Sequence, residues 1–183
     1  EAISDFNKAI ELDPKYAKAY YNRGTAISKL GDYKSAISDF SKAIKFNPKY
    51  AEAYNNRGGA KDFLGDYREA ISDFNKAIEL NPKYAEAYYN RGVVKDELED
   101  YRGAISDFNK AIEINPKYAN AYHSRANANF NLKYYQSAMS DFNKAIELNP
   151  KDAKAYYNRG NVKFDIEDYK GAIVDFNKAI GLN

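Results

Sequence analysis

AISDFNKAIELNPKYAEAYYNRG, residues 70–92, decides how this chain folds, because the stretch recurs nearly verbatim along the sequence. Its proline is one of a series, Pro14, Pro48, Pro82, Pro116 and Pro150, each 34 residues from the next. Tyr33, Tyr67, Tyr101, Tyr135 and Tyr169 keep that interval, as do Phe6, Phe40, Phe74, Phe108, Phe142 and Phe176, with no insertion anywhere. A period of this size with helical punctuation implies a solenoid, in which a unit too small to bury its own apolar face relies on its neighbours.

Within one period, 17–50, Tyr20, Gly24, Ile27 and Leu30 fall at spacings of three and four, which marks one face of a helix, A. After Gly31-Asp32 a second face runs Tyr33, Ala36, Ile37, Phe40, Ala43, Ile44 and defines helix B. Asp32, Asp66, Asp100 and Asp168 stand where an N-cap of helix B belongs, and Asp66 with Glu69 has capping-box spacing; the fourth unit has Tyr134 there. Asn47-Pro48 ends helix B, because proline disfavours helical geometry in the residue before it and donates no hydrogen bond. The count is five A and six B helices without a sheet. Gly24, Gly58, Gly92 and Gly160 each weaken a helix by about 1 kcal/mol, so close approach of A and B is expected there. They sit mid-helix, which rules against a phosphate-cradling loop.

Taking Ala17 as position one, the chain has an aromatic at four (Tyr20), a small residue at eight (Gly24), Tyr33 at seventeen, Ala36 at twenty, Phe40 at twenty-four, Ala43 at twenty-seven and Pro48 at thirty-two. This pattern resembles the tetratricopeptide repeat family across effectively the whole chain. The resemblance implies an all-α, right-handed superhelical solenoid of antiparallel helix pairs, whose A helices line a concave groove that takes extended peptides or partner helices. The units read 1–16 (helix B only), 17–50, 51–84, 85–118, 119–152 and 153–183, one solenoid in all. Position seven, often Leu in the family, is Arg23, Arg57, Arg91, Arg125 and Arg159 here. Each unit also carries an Asp before its Phe, Asp39, Asp73, Asp107, Asp141 and Asp175, with Asp5 in the leading partial unit. One-to-one pairing along the A–B seam is the expectation; it neutralises what would otherwise be an arginine stripe for phosphate or nucleic acid.

Comparing the units with one another locates the variable surface. The end of helix A reads TAISKLGD, GAKDFLGD, VVKDELED, NANFNLKY and NVKFDIED. Positions ten and fourteen stay apolar there (Ala26 and Leu30, Val94 and Leu98) and are expected in the core. Positions nine, twelve and thirteen, with two, five and six, are expected to face the groove. Position five holds Tyr21, Asn55, Tyr89, His123 and Tyr157; position six holds Asn22, Asn56, Asn90 and Asn158; Asn127 is at nine of the fourth unit. Asn donates and accepts at once, and Tyr offers area at low entropic cost. Glu52, Asp62, Glu86, Asp96 and Glu97 against Lys18 and Lys29 point to a basic or polar peptide. The fourth unit, with His123, Ser124, Ala126, Phe130 and Tyr134, departs most from the others.

One subclass of the family grips the C-terminal carboxylate of heat-shock chaperones through Lys at five and Asn at nine, Asn at six of the next unit, then Lys at two and Arg at six. The set is incomplete here, His123, Asn127 and Asn158 being the nearest approach. A second rival is end-to-end self-assembly, since Ala2, Ile3, Phe6 and Ile10, and Ile173, Phe176 and Ile180, lie on apolar faces at the two ends.

Other classes are disfavoured. Carboxylates recur in register with the repeat, whereas a catalytic pair occurs once in a pocket, so no enzyme is expected. A chain without Cys and with one His offers no thiolate chemistry and no His-based metal site, and no cofactor is expected. A formal charge of +2 gives no general pull towards nucleic acid or membrane. No apolar run reaches the roughly 18 residues of a membrane span. The cytoplasm is the expected compartment, with secretion left open because Glu1 opens within an amphipathic pattern without a Met. The near-identity of the units is also compatible with a designed or recently expanded protein.

Overall fold

The computed structural model describes residues 2–182; Glu1 and Asn183, the outer limits of the first and last units, lie outside it. Eleven helices and no strand occur among the described residues: α1 (Ala2–Leu12), α2 (Ala17–Lys29), α3 (Tyr33–Phe46), α4 (Ala51–Phe63), α5 (Tyr67–Leu80), α6 (Ala85–Glu97), α7 (Tyr101–Ile114), α8 (Ala119–Asn131), α9 (Tyr135–Leu148), α10 (Ala153–Asp165) and α11 (Tyr169–Ile180). Even-numbered helices are the A type and odd-numbered ones the B type. None is long and apolar enough to cross a membrane. The chain divides into two compact units, Glu1–Val94 and Lys95–Asn183, with the division inside α6.

In the first unit α2 packs on α3 and α4 on α5, while α1 and α3 cover the other sides of α2 and α4. Phe40 and Phe74 are buried completely at the A–B seams, with Ala36, Ala43, Ala70 and Ala77 beside them. The mid-helix glycines exist for these rings: a Cβ on Gly24 would lie 3.0 Å from the Phe40 ring, and one on Gly58 2.8 Å from that of Phe74. In the second unit α8 pairs with α9 and α10 with α11, and α7 and α9 pack against α8 and α10. Ala126, Ala138, Phe142 and Val162 form its core. Gly160 approaches Phe176 as its counterparts do, at 2.6 Å from a hypothetical Cβ.

Each B helix that ends at Asn-Pro is closed by its asparagine. Asn47, Asn81, Asn115 and Asn149 accept from the backbone N–H of Lys49, Lys83, Lys117 and Lys151 at 3.1–3.4 Å, and Asp13 does the same for Lys15 at 3.0 Å. At the start of helix B, Asp32, Asp100 and Asp168 cap through Ser35, Gly103 and Gly171 at 2.9–3.1 Å. Asp66 corrects the expectation: it stands at the N-cap but its side chain makes no capping bond. The third residue on is small in the other three; here it is Glu69, a second carboxylate on the same turn.

Position fourteen also differs from expectation. Val94 is buried, as are Ala60, Ala128 and Val162 at position ten, and Ala26 is half-buried. Leu30 and Leu98, however, are 76% and 48% exposed. Helix A stops at position thirteen and Leu30 is its C-cap, so the periodicity runs one residue past the helix that gave it meaning.

The seams carry the pairing that the charges implied. Arg23, Arg57, Arg125 and Arg159 grip Asp39, Asp73, Asp141 and Asp175 with two bonds each, Nε to Oδ2 at 2.7–2.8 Å and Nη2 to Oδ1 at 2.6–2.7 Å. The remaining Nη1 reaches the preceding B helix, at Asn7, Ser41, Asn109 and Asn143, and Arg91 reaches Asn75 in the same way. Each of these guanidinium groups lies 5.5–5.6 Å from the ring centre of the tyrosine three residues earlier, such as Tyr54 or Tyr122. Lys61 and Lys163 add a second cation to Asp73 and Asp175 at 2.7–2.8 Å, and Lys95 pairs with Asp107 at 2.8 Å; in the fourth repeat Asn129 stands in place of the lysine and donates to Asp141 at 3.3 Å. Planar guanidinium suits this fork, and with three of its five donors committed it orients three helices at once.

Candidate functional site

The pinned A helices leave one face of each for other work. In the first unit that face is a hydrogen-bonded wall. Asn56 Nδ2 donates across to Tyr21 Oη at 3.1 Å and lies 3.5 Å from Thr25 Oγ1; Asn55 Nδ2 donates to Asn56 Oδ1 at 3.3 Å; Asn90 Nδ2 donates to Asn55 Oδ1 at 3.1 Å. Thus an amide at position six reaches back to the preceding A helix. Tyr21 stacks at a tilt on Tyr50, ring centres 4.7 Å apart, and burial raises its phenol despite the bonds with Asn56 and Thr25. Burial likewise pushes Tyr50 up to about 12 and raises Tyr84, so these phenols stay neutral.

A cleft of about 390 Å³ opens on this wall. Asn55, Asn56 and Asp62 of α4 line it with Glu86, Tyr89 and Asn90 of α6; Thr25, Ser28 and Lys29 of α2 close one side, and Phe63, Gly59 and Val93 contribute apolar surface. Six candidate residues therefore meet around one space. Tyr21, Asn22, Lys18 and Glu52 lie outside its lining; Lys18 and Glu52 are exposed and Asn22 is half-buried. Asn55 is 1% exposed, so it holds Asn56 and Asn90 in place from beneath the surface.

The second unit repeats the motif with a different chemistry. Asn158 Nδ2 donates to Asn127 Oδ1 at 3.0 Å and lies 3.1 Å from His123 Nε2. His123 Nδ1 lies 3.1 Å from Asp152 Oδ2, and the other oxygen of Asp152 caps α10 through Lys154 and Ala155. A nitrogen that accepts from Asn158 leaves the ring proton on Nδ1, which donates to Asp152. The rings of His123 and Phe142 meet nearly at right angles, centres 5.6 Å apart. Asp152 was not singled out in the sequence, although a signal existed: Tyr16, Tyr50, Tyr84 and Tyr118 precede the other A helices, and Asp152 departs from them at the end of the same unit in which His123 departs from Tyr and Asn.

Tyr157 is 55% exposed and, with Asn158, Lys154, Phe176, Ala179 and Ile180, lines a second cleft of about 370 Å³. Glu97 is exposed. Asp96 is half-buried, its Oδ1 buried without a hydrogen bond among the described residues, and burial together with the neighbouring Glu97 raises its carboxyl. No cluster of three or more metal-ligating side chains occurs among the described residues.

Comparison with known proteins follows the same repeats. A sequence profile described as Tetratricopeptide repeat matches residues 17–50, 85–118 and 153–183, and a second, TPR repeat, matches 1–31, 64–95 and 134–166. Among curated proteins, the Protein SGT1 homolog of Oryza sativa subsp. japonica is 53% identical over 36 residues, a stretch that spans 20% of this chain and only 10% of that protein. Among solved structures, YrrB, a TPR protein with an unusual peptide-binding site, superposes with a TM-score of 0.77 at 27% identity, covering 97% of this chain and 92% of that one. MamA 41-end from Desulfovibrio magneticus RS-1 gives 0.82 at 25% identity over 91% and 94%. A repeat protein from Parabacteroides merdae ATCC 43184 gives 0.82 at 25% over 99% and 72%.

Proposed function

The chain belongs to the tetratricopeptide repeat family, and on that premise we propose that it is a non-catalytic scaffold, one solenoid made of the units read from the sequence, that holds an extended peptide or protein segment against its A helices. The observation that carries this reading is the cleft on the first unit, where side chains from three A helices converge: Asn56, Asp62, Glu86, Tyr89 and Asn90 are contacts, and Asn55 supports them. Tyr21 and Asn22 extend the contact surface on α2, and His123, Asn127, Tyr157 and Asn158 form its counterpart on the second unit. Glu52 and Glu97 add negative charge, Lys18 a local cation, and a basic or polar segment is favoured. YrrB, similar over nearly the whole chain, carries a peptide-binding site of its own. Immobilised wild-type protein should retain a specific binder from a displayed peptide library, and the double variant Tyr89→Ala, Asn90→Ala should lose it. Equal capture by both proteins would reject the site.

A second reading, self-association through α11, draws on one observation. Ile173, Val174 and Ile180 are 58–73% exposed on that helix, beside the 370 Å³ cleft. Contiguous apolar surface of this kind marks contact sites. Light scattering across concentration tests it: mass should rise with concentration, and a constant monomer mass would dismiss the reading.

A further inference from the structure

We infer that the wall reads its ligand through hydrogen-bond donors that the ligand supplies, so that its occupant is an extended segment bearing Lys or Arg and a free carboxylate is turned away. This rests on the groove reading above and adds the polarity of the contacts.

An asparagine side chain has two N–H donors and a carbonyl with two lone pairs. At Asn56 and Asn158 the donor half is already engaged inside the protein, and Asn90 commits one of its two N–H groups. Asn56 Nδ2 has Tyr21 Oη and Thr25 Oγ1 before it, and Asn158 Nδ2 has Asn127 Oδ1 and His123 Nε2. Asn90 Nδ2 is directed at Asn55 Oδ1. In the second unit the pole is set by Asp152, which accepts a hydrogen bond from His123 Nδ1 and so leaves Nε2 as an acceptor for Asn158. Both units therefore point position-six donors back along the wall; Asn56 Oδ1 has one lone pair taken by Asn55, and the capacity left for a ligand at Asn56 and Asn158 lies with their carbonyl oxygens.

Charge acts in the same direction. The first cleft sets two carboxylates, Asp62 and Glu86, against one ammonium, Lys29. A Lys or Arg side chain entering there meets carbonyl and carboxylate oxygens with the aromatic surface of Tyr89 and Phe63 beside it. A peptide carboxylate meets the same lone pairs with its own, and the loss of unmade hydrogen bonds adds to the repulsion. The geometry thus opposes the chaperone-tail type of ligand for a reason distinct from the missing lysines: the Asn158 amide that would donate to it is turned towards Asn127 and His123.

The test uses the intact chain and two capped synthetic decapeptides, alternating Ser-Lys and alternating Ser-Glu, followed by amide and tyrosine NMR shifts. On wild-type protein the Ser-Lys probe should shift Tyr89 and Asn90, and the Ser-Glu probe should leave them unmoved. In Asn56→Asp the lost donor is replaced by an acceptor; the Tyr21 hydroxyl can turn to donate, and Ser-Lys should bind about two- to fivefold tighter, the worth of one partly exposed ion pair. Ser-Glu binding at these residues with equal or greater affinity, or loss of Ser-Lys binding in a folded Asn56→Asp protein, overturns the polarity while the groove stands. If neither probe moves a groove resonance, the groove and its polarity fall together. The comparison of the two probes on wild-type protein decides the matter even where the variant does not fold.

Discussion

Removing Arg125 should destabilise the protein more than removing Arg57, although the two occupy the same position of their repeats. Each guanidinium makes a two-bond pair with a buried aspartate, lies over a tyrosine, and reaches a polar side chain on the preceding B helix. Their exposures are close, side chains 19% and 6% exposed for Arg57 and Asp73, 21% and 9% for Arg125 and Asp141. The difference lies in what remains. Arg57→Met leaves Asp73 with the Lys61 ammonium at 2.7 Å, whereas Arg125→Met leaves Asp141 with the neutral amide of Asn129 at 3.3 Å. Breaking a buried ion pair by deleting one partner costs about 3–5 kcal/mol. The ion-paired bond from Lys61 that survives in Arg57→Met offsets about 1.5–3 kcal/mol of that, and the longer bond from Asn129 that survives in Arg125→Met offsets about 0.5–1 kcal/mol. The lost stacking on tyrosine, about 0.5–1 kcal/mol, is common to both and cancels in the comparison. A gap of about 1–2 kcal/mol follows, or about 2–8 °C in Tm for a chain of this size. Circular dichroism melts and urea titrations of the two variants measure it. Asn129→Lys, which restores the cation present in three other repeats, should recover most of the gap in the Arg125→Met background. Equal destabilisation of the two variants, or no recovery with Asn129→Lys, would show that residual charge on the aspartate does not set the cost.

Glu167 holds a left-handed backbone, φ 65°, where Gly31 and Gly65 stand in earlier repeats; Glu167→Gly should therefore raise stability by about 1 kcal/mol and Gly65→Ala should lower it similarly, both read from urea midpoints. Gly58→Ala places a methyl carbon 2.8 Å from the Phe74 ring, and overpacking of about 1–3 kcal/mol should outweigh the gain in helix propensity of about 1 kcal/mol, so its Tm should fall. Burial alone would raise the Asp175 carboxyl, but bonds from Arg159 and Lys163 hold it below its ordinary value. A lowered folded value means that this stabilisation is complete above the unfolded carboxyl range, about 3.9, and is lost as pH falls through the folded value. Melts between pH 7 and pH 2 should show the advantage of wild type over Asp175→Asn shrinking in that lower window; a constant difference would refute it.

The fold was legible because its determinants are periodic. Proline, tyrosine and phenylalanine at a fixed interval mark helix ends and seams, and an Arg and an Asp at matched positions declare their pairing through opposite charge. What lay hidden was carried by neutral or terminal groups. Asn7, Ser41, Asn109 and Asn143, the third anchor of each arginine, carry no charge to match, and the asparagine before each proline closes a turn that the proline alone accounts for in a sequence. Leu30 shows the opposite failure, since apolar spacing says nothing about where the helix stops. Asp66 has the spacing of a capping box, but repulsion between its carboxylate and that of Glu69 depends on side-chain placement. Within the candidate wall, residue types and approximate positions were readable. The orientation of each amide was not, because it is set by the neighbour across the wall: Asn55 in place of a tyrosine recedes below the surface and receives Asn90, and Asp152 fixes His123 from another helix.

The central claim is that the A helices receive a peptide, and the distribution of tyrosines allows a direct measurement. With tyrosine rings selectively labelled with carbon-13, NMR resonances of Tyr21, Tyr89 and Tyr157 on A helices can be followed against Tyr33, Tyr67, Tyr135 and Tyr169 on B helices while a library-selected peptide is added. The account predicts shifts confined to the first group. Shifts confined to the second group, with the A-helix tyrosines unmoved at saturation, would contradict it.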